Sequence, residues 1–368
     1  MIKIGIVCYP TFGGSGVIAT ELGVALSKKK FQVHFISYKR PVRLKSLNDN
    51  LFFHKVDVPD YPLFDFPPYE LALTTKIVQL VEAKSINVLH VHYAIPHAYA
   101  AVSAQKILLS KGIYIPIITT LHGTDITLVG KQPFVRSVIN YAINESDVIT
   151  AVSNNLRQET IKNFDIKKEI QVIPNFVDFN LLNLNQKKEP VKEKIFTHIS
   201  NFRPVKRVLD VINIFQNVNT EIDSKLFMIG DGPDREKAEN LVKKYNLINK
   251  VIFLGRSNDI EKILSITDIF LLPSNSESFG LVALEAMAYS IPVITTENGG
   301  IIEVVDDKQN GFTLPVGDTN IMAKKCIQLL NDSTMYKNFS QNAFNKSKQF
   351  SIENILPLYE NWYYYLVK

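Results

Sequence analysis

Residues 269–288 read IFLLPSNSESFGLVALEAMA, an apolar strand (IFLLP, 269–273) that runs through a short polar segment into an apolar helix. Ser278 stands where an N-cap belongs, so the backbone N–H groups of Phe279, Gly280 and Leu281 are expected to point outward. Unpaired amides at the positive end of a helix dipole make a site for a phosphate group. Two carboxylates, Glu277 and Glu285, lie eight positions apart around that helix start. At ~1.5 Å per residue, Glu285 is expected about two turns further in, roughly 10 Å along the axis. It is the only charge in LVALEAMA, and a carboxylate in such a run needs a partner. One extended ligand would use every part: a sugar near Glu277, a diphosphate on the amides and a ribose diol on Glu285.

The same strand-to-helix alternation recurs along the chain. Apolar, β-branched runs stand at IKIGIVCY (2–9), FQVHFISY (31–38), NVLHVHY (87–93), PIITTLH (116–122), DVITAVS (147–153) and IQVIPN (170–175), with helical patterns such as ELALTTKIVQLVEAK (70–84) between them. That pattern predicts a parallel, doubly wound α/β sheet. The polar stretch LNQKKEPVKEK (184–194) interrupts it and reads as a linker. The alternation restarts with KIFTHIS, KLFMIGDG, KVIFLG, DIFLLPS and IPVITT. The expected organisation is a domain over 1–183, a linker over 184–194, a second domain over 195–350 and a terminal helix over 351–368. The carboxyl ends of the two sheets would face a central cleft, and the aromatic terminal helix would pack back across the domain junction.

Composition agrees with that organisation. A chain of 368 residues, 46% hydrophobic and 21% charged, suits two globular domains and excludes disordered and fibrous classes. The opening MIKIGIVCYP is too short an apolar run for a signal peptide, and no run approaches the ~18 apolar residues of a membrane span. A cytoplasmic location is expected, and Cys8 and Cys326, far apart and outside any CxxC motif, fit a reducing compartment. The sequence leaves the oligomeric state, monomer or homo-oligomer, open.

Net charge is +5, and residues 28–45 hold seven Lys and Arg with no acid. Lys28, Lys29 and Lys30 end a helix, where cations are favourable. Lys39, Arg40 and Arg43 follow a strand, where an acidic substrate or a lipid headgroup could meet them. No aromatic-interleaved nucleic-acid module is present. Gly13, Gly14 and Gly16 sit between the first strand and first helix, suited to close approach by an anion, but their spacing is not GxGxxG. The second strand ends in Tyr38, Lys39 and Arg40 where a dinucleotide site wants an acid, which disfavours NAD. In HISNFRPVKRVLD, Arg203 and Lys206 follow the first strand of the second domain and are placed to meet two phosphates. His122, trailed by Gly123 and Asp125, follows another strand end. His90 and His92, with His97 nearby, look superficially like metal ligands, yet neighbours two apart on a strand share a face for many reasons.

IGIVCYPTFGGSGVIATELG, HVHYAIPHA, TLHGTDITLVG, AVSNNL, VIPNFVD, SNFRPVKR, GDGP and ESFGLVALEAMA occur in the order found in retaining, nucleotide-sugar-dependent glycosyltransferases of the GT-B fold, whose Glu-x7-Glu signature the last of them resembles. More narrowly, CYPTFGGSG, HVHYAIPHA and ISNFRPVKR make the chain similar to the bacillithiol-pathway N-acetylglucosaminyl L-malate synthases. The resemblance implies two Rossmann-like domains, transfer of N-acetylglucosamine from UDP-GlcNAc to the hydroxyl of L-malate with retention, and no obligatory metal or other cofactor. A related enzyme with a lipid or sugar-phosphate acceptor at a membrane surface is the alternative.

The resemblance also implies roles. Gly14, Asn201, Arg203, Lys206, Glu277, Phe279, Gly280, Leu281 and Glu285 would bind the donor. His122, Arg203, Lys206 and Glu277 would act in transfer. For malate, with two carboxylates, Ser15, Tyr93, Thr120 and Arg136 of the first domain are the candidates. One departure is visible: many members separate the phosphate-binding Arg and Lys by five positions, and here the separation is three, which leaves the shares of Asn201 and Arg203 open.

Overall fold

The computed structural model describes residues 1–11, 13–58, 66–182, 193–257 and 260–368. They form two compact units, 1–175 with 352–368, and 176–351.

The first unit carries seven parallel strands: β1 (Ile2–Val7), β2 (Phe31–Ser37), β3 (Leu51–Lys55), β4 (Val88–His92), β5 (Ile117–Leu121), β6 (Val148–Ala151) and β7 (Ile170–Val172), in the spatial order β3-β2-β1-β4-β5-β6-β7. Helices α1 (Gly14–Ser27), α2 (Tyr69–Glu82), α3 (Tyr99–Leu109), α4 (Arg136–Glu145) and α5 (Asn154–Asn163) connect them. Strands covered on both faces read as unbroken apolar runs, and β1, β4 and β5 are buried almost throughout. From β1 the chain winds outward through β2 and β3, then returns to β4 and winds the other way. The reversal falls between β1 and β4, paired from Ile4↔Val88 to Val7↔Val91. Ligands of open α/β sheets bind at such a switch point, outside the carboxyl ends of the strands.

The second unit repeats the plan with six parallel strands, β8 (Lys194–Ile199), β9 (Ser224–Ile229), β10 (Val251–Gly255), β11 (Ile269–Leu272), β12 (Val293–Thr296) and β13 (Gly311–Leu314), ordered β10-β9-β8-β11-β12-β13. Its helices are α6 (Val208–Asn219), α7 (Arg235–Lys244), α8 (Ile260–Ile266), α9 (Leu281–Ala288), α10 (Thr319–Asn331) and α11 (Ser333–Gln349). The switch point lies between β8 and β11. Asp318 and Asp332 cap α10 and α11 by accepting from Ile321 N and Met335 N.

The last helix, α12 (Ile352–Leu366), belongs to the first unit. Its aromatic cluster splits by face. Tyr359 and Tyr363 are buried, the Tyr363 hydroxyl 2.6 Å from Nδ1 of His90, while Tyr364 and Tyr365 are exposed. Lys29 pairs with Glu360 at 2.8 Å, so one lysine of the basic block anchors this helix. Arg43 is likewise engaged, with Glu21 at 2.7 Å. Residues 176–182 fall with the second unit rather than the first, because Val177 N donates to Phe350 O at 3.0 Å and bridges to Ser351. Most of the expected linker, 184–192, lies outside the described residues. Cys8 and Cys326 are both free and buried, and burial pushes the Cys8 thiol up to about 12.

Candidate functional site

At each switch point a side-chain hydrogen bond joins residues more than 70 apart in sequence. In the second unit the chain leaves β8 through Asn201 and Arg203 into a single 3₁₀ turn, Pro204–Lys206, and leaves β11 through Ser274 to Glu277. Lys206 Nζ reaches Glu277 Oε1 at 2.6 Å, and the buried Ser274 hydroxyl donates to the same oxygen at 2.7 Å. Glu277 is 8% exposed, so its charge is carried by these two donors. An ammonium has three protons. Glu277 is the only acceptor of Lys206 among the described residues, which leaves two N–H directions for an anion.

Lys206 and Glu277 were assigned to phosphate and sugar, and the structure brings them into direct contact. Arg203 and Asn201 are exposed beside them, and Arg203 has no ion-pair partner among the described residues. Arg207 takes a left-handed conformation (φ 49°) and turns away to Asp210 at 2.6 Å and Asn275 at 3.2 Å. Beneath the turn, buried His198 donates from Nδ1 to Leu271 O and so accepts the Ser200 hydroxyl at Nε2, 2.7 Å away.

The helix start differs from the expectation in two respects. Gly280, not Ser278, is the N-cap of α9, in a left-handed conformation (φ 91°, ψ 46°) and with no side-chain cap bond. The chain needs a residue without a Cβ there: an added Cβ would lie 2.2 Å from Cδ1 of buried Ile301. Helical rise therefore begins at Leu281, and Glu285 lies about 6 Å along the axis from that first residue rather than 10. Phe279 is buried against Phe350, ring centroids 5.5 Å apart, so it shapes the loop from inside. Gly280→Ala is expected to destabilise the second unit by about 1–3 kcal/mol through backbone strain. A thermal melt of the variant beside the wild type, with and without UDP, measures it.

In the first unit the corresponding contact is Ser15 Oγ donating to Tyr93 Oη at 2.9 Å, from the N-terminus of α1 to the end of β4. Gly14 is the first residue of α1. Around Tyr93 stand Tyr9 (ring centroids 5.4 Å), His122 (5.3 Å) and His97 (6.4 Å). His122 is half-buried, with Nε2 2.8 Å from Nδ1 of fully buried His92. Burial, with His97 nearby, pushes His122 down to about 3, so its ring is neutral at ordinary pH. His90 is spent on Tyr363 and on Thr120 Oγ1 at 2.7 Å. His97 Nδ1 donates to His92 O at 2.6 Å. No group of three or more metal-ligating side chains gathers among the described residues.

Thr120 corrects an expectation. It is fully buried inside β5, and its hydroxyl is committed to His90 and Thr150, both at 2.7 Å, so its side chain is not presented to a ligand. Arg136 is exposed at the first position of α4. Ser274 was passed over in the sequence, and Asp125 was named beside His122 without a role of its own. Ser274 could have been noticed as a hydroxyl at a strand end three positions before Glu277. Asp125 stands out as a lone acid in the turn after His122. It is 2% exposed and accepts from Ala94 N at 2.9 Å and Gly123 N at 3.0 Å. Burial pushes its carboxyl up to about 6, against the pull of those bonds.

Comparison with known proteins agrees with this layout. A family model described as Glycosyltransferase Family 4 matches residues 12–181, and one described as Glycosyl transferases group 1 matches residues 182–346. A Bacillus anthracis protein named N-acetyl-alpha-D-glucosaminyl L-malate synthase is 43% identical over 371 residues, covering 99% of this chain and 97% of that protein. Among solved structures, Anabaena HepE in complex with UDP and glucose superposes with a TM-score of 0.83 at 18% identity, covering 98% of this chain and 99% of the other. Sucrose-phosphate synthase from Thermosynechococcus elongatus gives 0.79 at 20% identity, covering 100% and 99%. At such identities the two structures speak to the fold alone.

Proposed function

The chain belongs to the GT-B glycosyltransferases, and on that premise we propose that it transfers N-acetylglucosamine from UDP-GlcNAc to the hydroxyl of L-malate, with retention at the anomeric carbon and without an obligatory metal. The observation that carries the reading is the Lys206–Glu277–Ser274 constellation at the second unit's switch point, together with near full-length similarity to a protein named for that product.

In the proposed reaction the bond from the anomeric carbon to the β-phosphate oxygen breaks and a bond to the malate oxygen forms on the same face. The departing UDP carries away the hydroxyl proton. Negative charge grows on the β-phosphate, and the two remaining Lys206 protons, Arg203 and the amides at the start of α9 are fixed in advance to meet it. Glu277 holds Lys206 in place and offers its second oxygen to a sugar hydroxyl. Glu285 would take the ribose diol. Ser15, Tyr93 and His122 form the polar wall offered to the acceptor, with Arg136 as a cation for a malate carboxylate. Among the described residues no helix is long and apolar enough to cross a membrane; a cytoplasmic location is part of the proposed reading.

Purified protein incubated with UDP-GlcNAc and a chelator is expected to release UDP only when L-malate is added, and to yield a GlcNAc–malate conjugate by mass. UDP binding without that conjugate would sink the acceptor assignment and direct the search to lipid or sugar-phosphate acceptors.

A further inference from the structure

We propose that Asp125 is a positioning residue for acceptor recognition: its buried carboxylate clamps the turn after β4 to the turn after β5 and so fixes Tyr93 against His122. The inference rests on the reading of the first unit as the acceptor side.

The two turns are adjacent in space but 30 residues apart in sequence, and each leaves its strand in an unusual backbone conformation. Tyr93 has φ 88°, ψ 137°, a region that costs a non-glycine residue about 1–3 kcal/mol and persists only where the surroundings over-determine it. Gly123, directly after His122, has φ 111°. The residue following Tyr93 and the residue following His122 both give their amide protons to Asp125, Ala94 to Oδ2 and Gly123 to Oδ1. One carboxylate thus spans both strand ends from inside. Tyr93 N also donates to Thr120 O at 2.9 Å, so the first turn is tied to β5 by its backbone as well.

With each amide on its own oxygen, a carboxylate, acceptor-only at both, serves the two at once. Asparagine has nearly the same shape but replaces one oxygen with NH2, which would point a donor at a donor. Two buried amides would otherwise need separate partners, since unpaired ones cost about 1–3 kcal/mol each. The side chain is 2% exposed and holds the amides of Ala94 and Gly123, so its influence passes through the position of the Tyr93 and His122 side chains beside them. Misplacement of such groups by about 1 Å lowers turnover strongly without removing any contact residue.

The test compares wild type, Asp125→Asn and Asp125→Ala in the full chain. Steady-state KM values for malate and UDP-GlcNAc are measured beside hydrogen–deuterium exchange. Asp125→Asn is expected to raise the malate KM at least tenfold, leave the UDP-GlcNAc KM within twofold, and speed exchange in peptides covering 93–98 and 122–128 only. Equal loss for both substrates, or faster exchange across the whole first unit, would reduce Asp125 to a stability role and overturn the proposal. An unchanged malate KM in Asp125→Asn with full wild-type turnover overturns the Asp125 role alone. Wild-type protein that binds UDP but never turns over malate overturns the acceptor reading, and this proposal with it. Should Asp125→Ala fail to fold, the near-isosteric Asn variant carries the test.

Discussion

Lys206→Ala is expected to lower kcat by about 10²–10³-fold, the loss typical of removing one donor from a site of developing oxyanion charge. The same substitution strips Glu277 of its cation. Glu277 is 8% exposed and would keep only the Ser274 hydroxyl, so the fold also loses stability. Breaking a buried pair costs about 3–5 kcal/mol, and Lys206, a fifth exposed, places this one at or below the lower end. The two effects separate in a double variant. Glu277→Gln alone keeps an oxygen for Lys206 and Ser274 and is expected to melt near the wild type. Lys206→Ala with Glu277→Gln removes the unpaired charge, so the melting temperature recovers while turnover does not. If activity recovered along with stability, the pair would be a structural ion pair and Lys206 would have no place in transfer.

How much of this was legible from the chain alone differs between its two scales. The alternation of apolar runs and helical periods is local, so it carried the class and the two-sheet plan; β1, β4, β5 and β11 lie where those runs predict. Contacts across the switch points are not local. Ser15 meets Tyr93 across 78 residues and Lys206 meets Glu277 across 71, and no periodicity encodes which strand end faces which. Lys206 and Glu277 were nominated by residue chemistry after the strand ends, Ser15 and Tyr93 as hydroxyls for the malate that the resemblance implies, and the pairing of all four is set by topology. Thr120 shows the opposite limit. A threonine at a strand end reads as available, but one residue of register decides whether it faces the site or the sheet interior, where His90 and Thr150 hold it. Ser278 failed as a cap for a related reason: the S-F-G sequence admits a helix start at either residue, and the packing of Ile301 over Gly280 selects the later one.

Acid is expected to unfold the first unit well above the pH at which carboxylates titrate. His90 and His97 are fully buried, and burial pushes them down to about 3 and about 4; burial likewise holds His34 at about 4, His122 at about 3 and His92 well below the ordinary value of 6.5. A ring with a depressed native pKa binds more protons when unfolded, so its contribution is complete above pH 6.5 and is lost as the pH falls towards the native value. Asp125, raised to about 6, and Glu70, also raised by burial, act with the opposite sign and favour the native state as the pH falls, but they are two carboxyls against six rings, burial lowering His54 as well. Each such ring withdraws about 1.4 kcal/mol per pH unit below its unfolded value, roughly 3 kcal/mol by pH 4.5, so several together can consume the 5–15 kcal/mol of an ordinary domain. In the second unit only His198, lowered to about 4, behaves this way. The units should therefore part on acidification. Between about pH 6 and 4.5, exchange protection across β4 and β5 is expected to collapse while the β8–β11 region stays protected. Malate-dependent turnover would stop at a pH where UDP still binds. Denaturant unfolding curves that stay unchanged from pH 7.5 to 4.5, or protection lost in both units together, would show that the buried rings take up protons without cost and that the histidine column beneath Tyr93 is no determinant of the fold.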